Sequence, residues 1–375
     1  MDNKKVQISV SQFAILYFVI IIVDSKIQGI MINDLEQNFI ISSIIGMALS
    51  IGIYTLYYLL SRRTNFAAPD KAFSKITGKF IAKIILFLYG IYFLYLSMQD
   101  LREISEMVRE YYIPNAPLKF ISVPLMLVVF YALTQGLEVI CRASRYIFTT
   151  SVVTLSLFLL LILLLNEVQL NHLIPLFNID LKKIIFKGAQ MSYSIPFGIT
   201  FILFFIAPAV KEKDKLLRKG YVANISGGLA LIAIIVVALI TINPTVLPAS
   251  ISPLLLVTRR IDAPNFIQRF DVLTIALFVL TTLTKNSILL YGAYTCVNGV
   301  VKVKNRTVLY LIFAVIILTM TNSLFSRFTY FLLFIEKYVV TYVHLFYELF
   351  LPVVLLLLTF IVKIEQVPME ELTNN

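Results

Sequence analysis

The chain has 375 residues, of which 59% are hydrophobic, and its mean hydropathy is +0.89. This composition is too apolar for a water-soluble globular domain, in which apolar residues make up about half of the chain. Windows of about 20 apolar residues recur along the sequence, and each is long enough to cross the ~30 Å hydrocarbon core of a bilayer. The sequence therefore predicts an all-α polytopic membrane protein.

Ten apolar windows, named span 1 to span 10, account for nearly the whole chain. They cover approximately 8–31, 37–60, 80–102, 118–136, 144–166, 186–209, 220–242, 268–299, 306–326 and 338–362. One permease-like membrane domain over 1–367 is therefore expected, followed by a short cytoplasmic tail, 368–375. The spans form two groups of five, about 8–166 and 186–362. An odd number of spans per group means that related groups would insert in opposite orientations, as an inverted repeat.

The net charge of +11 is distributed unevenly over the predicted loops. If the N-terminus is cytoplasmic, the inner loops carry most of the Lys and Arg, whereas the first two outer loops contain acids such as Glu36, Asp100 and Glu103. This asymmetry follows the positive-inside rule and predicts that both termini are cytoplasmic. Lys182 and Lys183 are exceptions, because the predicted topology places these basic residues on the outer side. The basic excess is better explained by orientation and anionic lipid than by binding of nucleic acid.

No pattern that carries catalytic or metal chemistry is found in the sequence. The histidines, His172 and His344, lie far apart, and Cys141 and Cys296 have no metal-ligand spacing. Both cysteines fall near predicted cytoplasmic helix ends, so a disulfide is not expected. Nucleophile-elbow, zincin and P-loop motifs are missing. The sequence therefore argues against an enzyme and predicts neither a cofactor nor a metal site.

Polar or helix-breaking residues interrupt the first span of each group. Span 1 is interrupted at 23–29, and span 6 at 192–198, where Pro196 lacks a backbone donor and Gly198 lowers the cost of leaving helical geometry. Corresponding breaks in two halves are typical of transporters that bind a ligand between broken helices. The alternatives are a protein-facing polar patch in span 1 and a purely structural kink in span 6. The predicted pocket is lined by Val23, Asp24, Ser25, Lys26, Ile27, Gln28, Tyr92, Ser192, Tyr193, Ser194, Ile195, Phe197 and Thr282.

Two ionisable residues lie deep in later spans. Lys285 is near the centre of span 8, where a charge costs roughly 2.5–3.5 kcal/mol on insertion scales and needs a cavity or a partner. Glu348 shares a face of span 10 with Thr341 and His344, which favours either an interhelical hydrogen bond or proton sensing. Lys285 and Glu348 are both predicted to act through their charge, either by coupling ligand binding to a conformational change or by holding neighbouring helices together.

Loops on the outer side are longer than a connection requires. The segment 100–118 is expected to continue span 3 as a charged outer helix, and 170–187 as an amphipathic helix at the interface. The loop 243–269, rich in proline, either lies over an external vestibule or is a plain surface loop.

Several short motifs in order along the chain resemble one known family. They are Ile8-Ser9-Val10-Ser11-Gln12, the segment 173–177 followed by Lys187-Gly188, Arg260-Ile261-Asp262, the segment 267–273, and Lys285-Asn286 followed by 287–291. This order resembles the spore germination permease-like proteins, the B subunits of GerA-type nutrient germinant receptors. The chain departs from the family in lacking an acid after Phe197-Gly198, in having Asp271 where Glu is common, and in lacking tryptophan.

The resemblance implies the fold of the amino acid/polyamine/organocation superfamily, a LeuT-like five-plus-five inverted repeat with broken helices 1 and 6. It implies a membrane subunit in the spore inner membrane that binds a small germinant, an amino acid or a nucleoside, and signals with A and C subunits. In this fold spans 1 and 8 are neighbours, so Lys285 is expected to reach Asp24 or freed carbonyls of span 1. Its ammonium would take the place of a coupling cation. The alternative function is a proton-coupled amino acid permease.

Overall fold

The structure is a computed structural model that describes residues 7–27, 35–164, 168–242, 252–260, 269–325, 327–362, 364–369 and 371. The regular structure in these residues is helical, apart from an isolated parallel bridge between Ile8 and Val210. The helices are Val10–Val23, Phe39–Arg63, Pro69–Thr77, Lys79–Tyr112, Lys119–Gln135, Leu137–Leu164, Leu181–Tyr193, Ile202–Ile206, Leu216–Thr241, Pro253–Arg260, Phe270–Val300, Arg306–Ser323, Phe328–Phe334, a π-helical stretch Ile335–Phe350, and Leu351–Ile361.

Every predicted span coincides with an apolar helical segment. In the described residues, eight segments are long and apolar enough to cross a bilayer: Glu36–Arg63, Lys79–Tyr112, Leu137–Leu163, Leu181–Ala209, Lys213–Thr241, Phe270–Val300, Arg306–Ser323 and Phe328–Ile361. Two shorter apolar helices, Val10–Val23 and Lys119–Gln135, correspond to spans 1 and 4. Span 6 is central, because 94% of its most apolar window is buried, whereas the corresponding value for span 5 is 22%.

Both predicted helix breaks are present. The α-helix of span 1 ends at Val23 and continues as a short 3₁₀ turn, Asp24–Ile27. In span 6 the first half-helix, Leu181–Tyr193, ends at Ser194, whose backbone is extended, and helical geometry resumes at Gly198. Pro196 lies inside this gap, where its missing N–H costs no helical hydrogen bond. Regular α-helical geometry is therefore interrupted at corresponding positions in the two groups of spans.

One prediction for the outer loops is wrong and another is confirmed. The segment 170–187 is not one interfacial helix: it has a 3₁₀ turn at Leu170–Leu173, and the helix that begins at Leu181 forms the first half of span 6. Asp180 caps this helix by accepting a hydrogen bond from the Lys182 backbone N–H at 3.0 Å. The prediction that span 3 continues beyond Asp100 as a charged helix is confirmed as far as Tyr112. Span 3 is one helix, Lys79–Tyr112, about 51 Å long, and its acids Asp100, Glu103 and Glu106 are buried.

Glycine allows the first half of span 6 to lie directly on span 2. A Cβ atom added to Gly188 would come within 2.8 Å of the Ser42 carbonyl oxygen, and one added to Gly46 within 2.8 Å of the Met191 Cβ. Small residues permit such close approach of helices in membranes. The hydroxyl of Ser42 also donates to the Ile184 carbonyl at 2.9 Å. This contact fixes the half-helix that leads into the break.

The start of span 1 is tied to the end of span 6. The Ile8 N–H donates to the Ala209 carbonyl at 2.9 Å, and the Lys211 N–H donates to the Ile8 carbonyl at 3.0 Å. The Glu212 carboxylate accepts from the Val10 N–H at 2.8 Å, beside a capping box formed by Ser9 and Gln12. The two broken spans are therefore joined at the end of the bundle that carries the N-terminus.

Replacing Glu212 by Ala should weaken this junction. Loss of an acceptor at a helix N-terminus is expected to lower the free energy of unfolding by about 0.5–2 kcal/mol. Chemical unfolding of the purified chain in detergent measures this difference. Glu365→Ala, at an exposed acid near the other terminus, is the matched control and should leave stability unchanged. Equal stability of the Glu212 variant and the control would contradict the role given to Glu212.

Candidate functional site

A small buried cavity lies between the breaks of spans 1 and 6 and the middle of spans 3, 8 and 10. Its free space is about that of one water molecule, so a larger ligand requires the surrounding groups to move apart. The lining is strongly polar for the interior of a membrane protein. It consists of Asp24, Leu96, Gln99, Asp100, Ser194, Ile195, Ile199, Lys285, His344 and Glu348.

Lys285 connects three spans at this cavity. Its Nζ lies 2.7 Å from Asp24 Oδ1 on span 1 and 3.2 Å from Asp100 Oδ1 on span 3. All three side chains are nearly inaccessible, with at most 6% of each exposed. The predicted proximity of Lys285 and Asp24 is observed, and Asp100 is an additional partner. Because a buried charge that loses its partner is strongly destabilising, the three groups depend on one another.

Glu348 is held by an interhelical hydrogen-bond network on the opposite side of the cavity. The Tyr92 hydroxyl donates to Glu348 Oε1, and His344 Nδ1 lies 2.9 Å from the same oxygen. The Tyr57 hydroxyl donates to the Glu348 backbone carbonyl at 2.9 Å. His344 and Glu348 belong to the π-helical stretch of span 10. π-Helical geometry is rare in proteins, and where it occurs it is often at a functional site.

The carboxylate of Glu348 lies against the break of span 6. A Cβ atom added to Gly198 would overlap Glu348 Oε2 and the carbonyl of Tyr193. Only a residue without a side chain allows the carboxylate to approach the backbone so closely. Spans 6 and 10 are therefore in direct contact at the point where the helix of span 6 is interrupted.

Several buried polar atoms around the break of span 1 and the cavity have no hydrogen-bond partner among the described residues. They are Ser25 Oγ, Gln99 Oε1, Thr282 Oγ1, His344 Nε2 and Glu348 Oε2. Such groups are rare in folded proteins, and each calls for a specific explanation, such as a ligand or an ordered water. Gln99, His344 and Glu348 line the cavity itself. The cavity therefore presents polar groups that a bound molecule can satisfy.

The structure brings some of the predicted site residues to the cavity and places others behind it. Asp24, Ser194, Ile195, Lys285 and Glu348 line it. The side chains of Val23, Tyr92, Ser192, Tyr193, Phe197 and Thr282 are buried but do not line it. Ser25 lines a separate, mainly apolar pocket between spans 1, 5, 7 and 8. Gln28 and the side chains of Lys26 and Ile27 lie outside the described part of the chain. Ligand contact by any of these residues remains a prediction.

The prediction missed five residues that line the cavity: Leu96, Gln99, Asp100, Ile199 and His344. Helical spacing gave a usable signal for two of them. Gln99 follows Tyr92 by seven residues on one face of span 3, and His344 precedes Glu348 by four on span 10. Asp100 was not recognised because an acid at the end of an apolar window is normally an interfacial residue. Only the length of span 3 shows that it is internal.

Comparison with known proteins identifies the fold. The chain is similar to MhsT, solved in complex with L-phenylalanine, with a TM-score of 0.61 and 15% sequence identity, over 96% of this chain and 99% of that chain. This likeness confirms the predicted LeuT-like architecture of a polytopic membrane protein. A likeness at this level of identity concerns the fold alone.

Comparison of sequences identifies the family. The family model described as "Spore germination protein" matches residues 7–329. The chain is 24% identical to spore germination protein KB of Bacillus subtilis (strain 168) over 360 residues, which is 94% of each protein. It is 21% identical to the putative spore germination protein YfkT of the same organism over 257 residues, which is 68% of this chain and 69% of YfkT. The chain is therefore a transporter-like, multi-pass membrane protein that belongs to the spore germination protein family.

Proposed function

We propose that the chain is the membrane-embedded, B-type subunit of a nutrient germinant receptor. In this proposal it binds a small germinant, an amino acid or a nucleoside, between the broken helices of spans 1 and 6. The observation that carries the proposal is the buried cavity at the two breaks, in a chain of a germination family. Gln99, His344 and Glu348 in its lining each have a polar atom without a hydrogen-bond partner in the part of the chain that the structure describes. MhsT, which shares the fold, is solved with L-phenylalanine, and this supports an amino acid as one class of ligand.

The breaks supply the means of binding. Residues 24–27 and 194–197 leave α-helical geometry, and peptide groups without an intrahelical partner can bind a ligand there. The backbone N–H groups at the start of a half-helix favour a carboxylate or another electronegative group. Lys285 closes the cavity by holding Asp24 of span 1 to Asp100 of span 3. Ligand binding that shifts Asp24 would therefore loosen span 1 from spans 3 and 8, and this movement is the signal that the proposal requires.

The proposal places the protein in the spore inner membrane with both termini on the spore core side. It acts there with an A subunit and a C subunit, and anionic lipid contacts the basic loops of the same side. The family match and the relation to spore germination protein KB support a role in germination. The excess of Lys and Arg in the predicted inner loops supports the orientation.

Gene deletion tests the proposal. In a spore former that carries this gene, deletion should abolish germination in response to one amino acid or nucleoside and leave the responses to unrelated germinants intact. The wild-type gene should restore the response, which is followed as the loss of optical density of a spore suspension. Unchanged germination with every amino acid and with inosine would contradict the proposal.

A proton-coupled amino acid permease is the second candidate function. The fold shared with MhsT and the buried Glu348 and His344 favour it, because acidic and histidine side chains inside membrane proteins often relay protons. A permease predicts saturable uptake of a radiolabelled amino acid by the chain alone in proteoliposomes with an imposed pH gradient. A receptor subunit predicts specific binding without net uptake.

A further inference from the structure

We propose that Glu348, His344 and Gln99 form the subsite for the ammonium group of the ligand, so that the ligand is a protonated amine such as an amino acid and not a nucleoside. The inference rests on the proposed function, because it assigns the chemical class of the molecule that the cavity binds. In this proposal the positive charge of the ligand is recognised mainly by side chains of spans 3 and 10, and not by the broken helices.

Among the described residues, the hydrogen bonds around the subsite leave three acceptors unpaired. Gln99 Nε2 donates to Glu103 Oε1 at 3.0 Å, so the amide oxygen Oε1 remains available. The Tyr92 hydroxyl donates to Glu348 Oε1, which leaves Oε2. His344 Nδ1 lies 2.6 Å from the Tyr92 hydroxyl oxygen and 2.9 Å from Glu348 Oε1. Because Tyr92 donates its own proton to Glu348, we assign the imidazole proton to Nδ1, which leaves Nε2 as a lone-pair acceptor. A primary ammonium carries three N–H donors, which equals the number of acceptors.

The charge of the lining also favours a cation. Three carboxylate residues and one lysine line the cavity, and Lys285 is bonded to two of those carboxylates, Asp24 and Asp100. The third, Glu348, has His344 as its ion-pair partner in the described part of the chain, and the imidazole supplies an opposite charge only when it is protonated. A buried carboxylate without an opposite charge is costly. A ligand ammonium supplies the charge that Glu348 lacks.

The same groups do not suit a metal ion or a nucleoside. Across the described residues, no set of three His, Cys, Asp or Glu side chains is arranged to hold a metal. The base and sugar of inosine are uncharged, so inosine would leave the buried carboxylate uncompensated. The subsite therefore selects for a protonated amine.

The test measures binding to the full chain in nanodiscs by thermal unfolding. The probes are the twenty amino acids, followed by the decarboxylated amine and the deaminated acid of the amino acid that raises Tm most, together with inosine and potassium chloride. The amino acid and its amine should raise Tm, and the deaminated acid, inosine and potassium chloride should not. Glu348→Gln, which keeps an acceptor for Tyr92, should weaken the Kd of the amino acid by about 10- to 100-fold.

Two further variants make the result specific. Glu336→Gln neutralises an acid on the same span that pairs with Lys187 at 3.2 Å and is 29% exposed, and it should leave the Kd within about twofold. Gln99→Met removes one of the three acceptors without removing charge, so it should weaken binding even if the Glu348 variant is unstable.

Three results would overturn the inference. They are tight binding of inosine or of the deaminated acid, stabilisation by potassium chloride that depends on Glu348, and unchanged amino acid affinity in both the Glu348 and Gln99 variants. Inosine binding that is insensitive to both variants would leave the proposed function standing. Failure of every probe to bind the wild-type chain would contradict the inference and the proposed function together.

Discussion

Lys285→Ala is expected to lower the free energy of unfolding by about 3–5 kcal/mol and to abolish the germination response. The lysine is 5% exposed and bonds two buried carboxylates, Asp24 and Asp100, both of which lose this counter-charge in the variant. Membrane assembly and stability are measured by fluorescence-detected size exclusion and thermal unfolding, and the response by germination of spores that carry the variant. Unchanged assembly and response would show that the ion cluster has no role.

The chain offers a matched control for this prediction. Lys187 pairs with Glu336 at 3.2 Å, and this pair is partly exposed, with 22% and 29% of the two side chains accessible. Lys187→Ala should therefore cost about 1 kcal/mol or less. The triple variant Asp24→Asn, Asp100→Asn, Lys285→Met removes the whole cluster. It should recover much of the stability without restoring the response, which separates the structural role of the cluster from its role in signalling.

Gly198→Ala is expected to abolish the response because it pushes apart the break of span 6 and span 10. The added methyl group would overlap the Glu348 carboxylate and the carbonyl of Tyr193, and a carbonyl fixed in the backbone cannot turn aside. Overpacking of this kind typically costs about 1–3 kcal/mol, and more where backbone must move. Thermal unfolding measures the loss, and germination assays measure the response.

Gly52→Ala is the control for the glycine prediction. A Cβ atom at Gly52, inside the helix of span 2, has nothing within 4 Å. Alanine there should be neutral, or stabilising by up to about 1 kcal/mol, because alanine has the higher helix propensity. A Gly198 variant that is as stable and as responsive as this control would contradict the close contact of Glu348 with span 6.

Much of the fold was accessible from the sequence because hydrophobic windows, Pro196 and the polar run after Val23 report directly on the bilayer and on backbone hydrogen bonding. The failures come from residues whose environment is set by distant segments. Asp100 follows an apolar window and looked interfacial, but span 3 extends to Tyr112 and carries the acid into the interior. The π-helical stretch of span 10 has no reliable sequence signal. The contact of Glu348 with the break at Gly198 therefore emerged only in three dimensions.

The site was predicted in part for the same reason. Asp24 and Lys285 were recognised as charged residues that needed partners, and in the structure they form an ion pair with each other. Tyr92, Phe197 and Thr282 were assigned to the lining from their positions in the spans, but they do not line the cavity, and Tyr92 instead bonds Glu348, which does. Which side chains reach the cavity depends on packing between neighbouring spans, and a single sequence does not encode that packing in any simple pattern.

The most direct test is a cryo-EM map of the receptor complex with the germinant that the genetic assay identifies. We expect density for the ligand between the segments 24–27 and 194–198, within hydrogen-bond distance of backbone peptide groups in these two helix breaks. Ligand density at another place in the molecule, or continuous helices through both segments, would contradict this expectation.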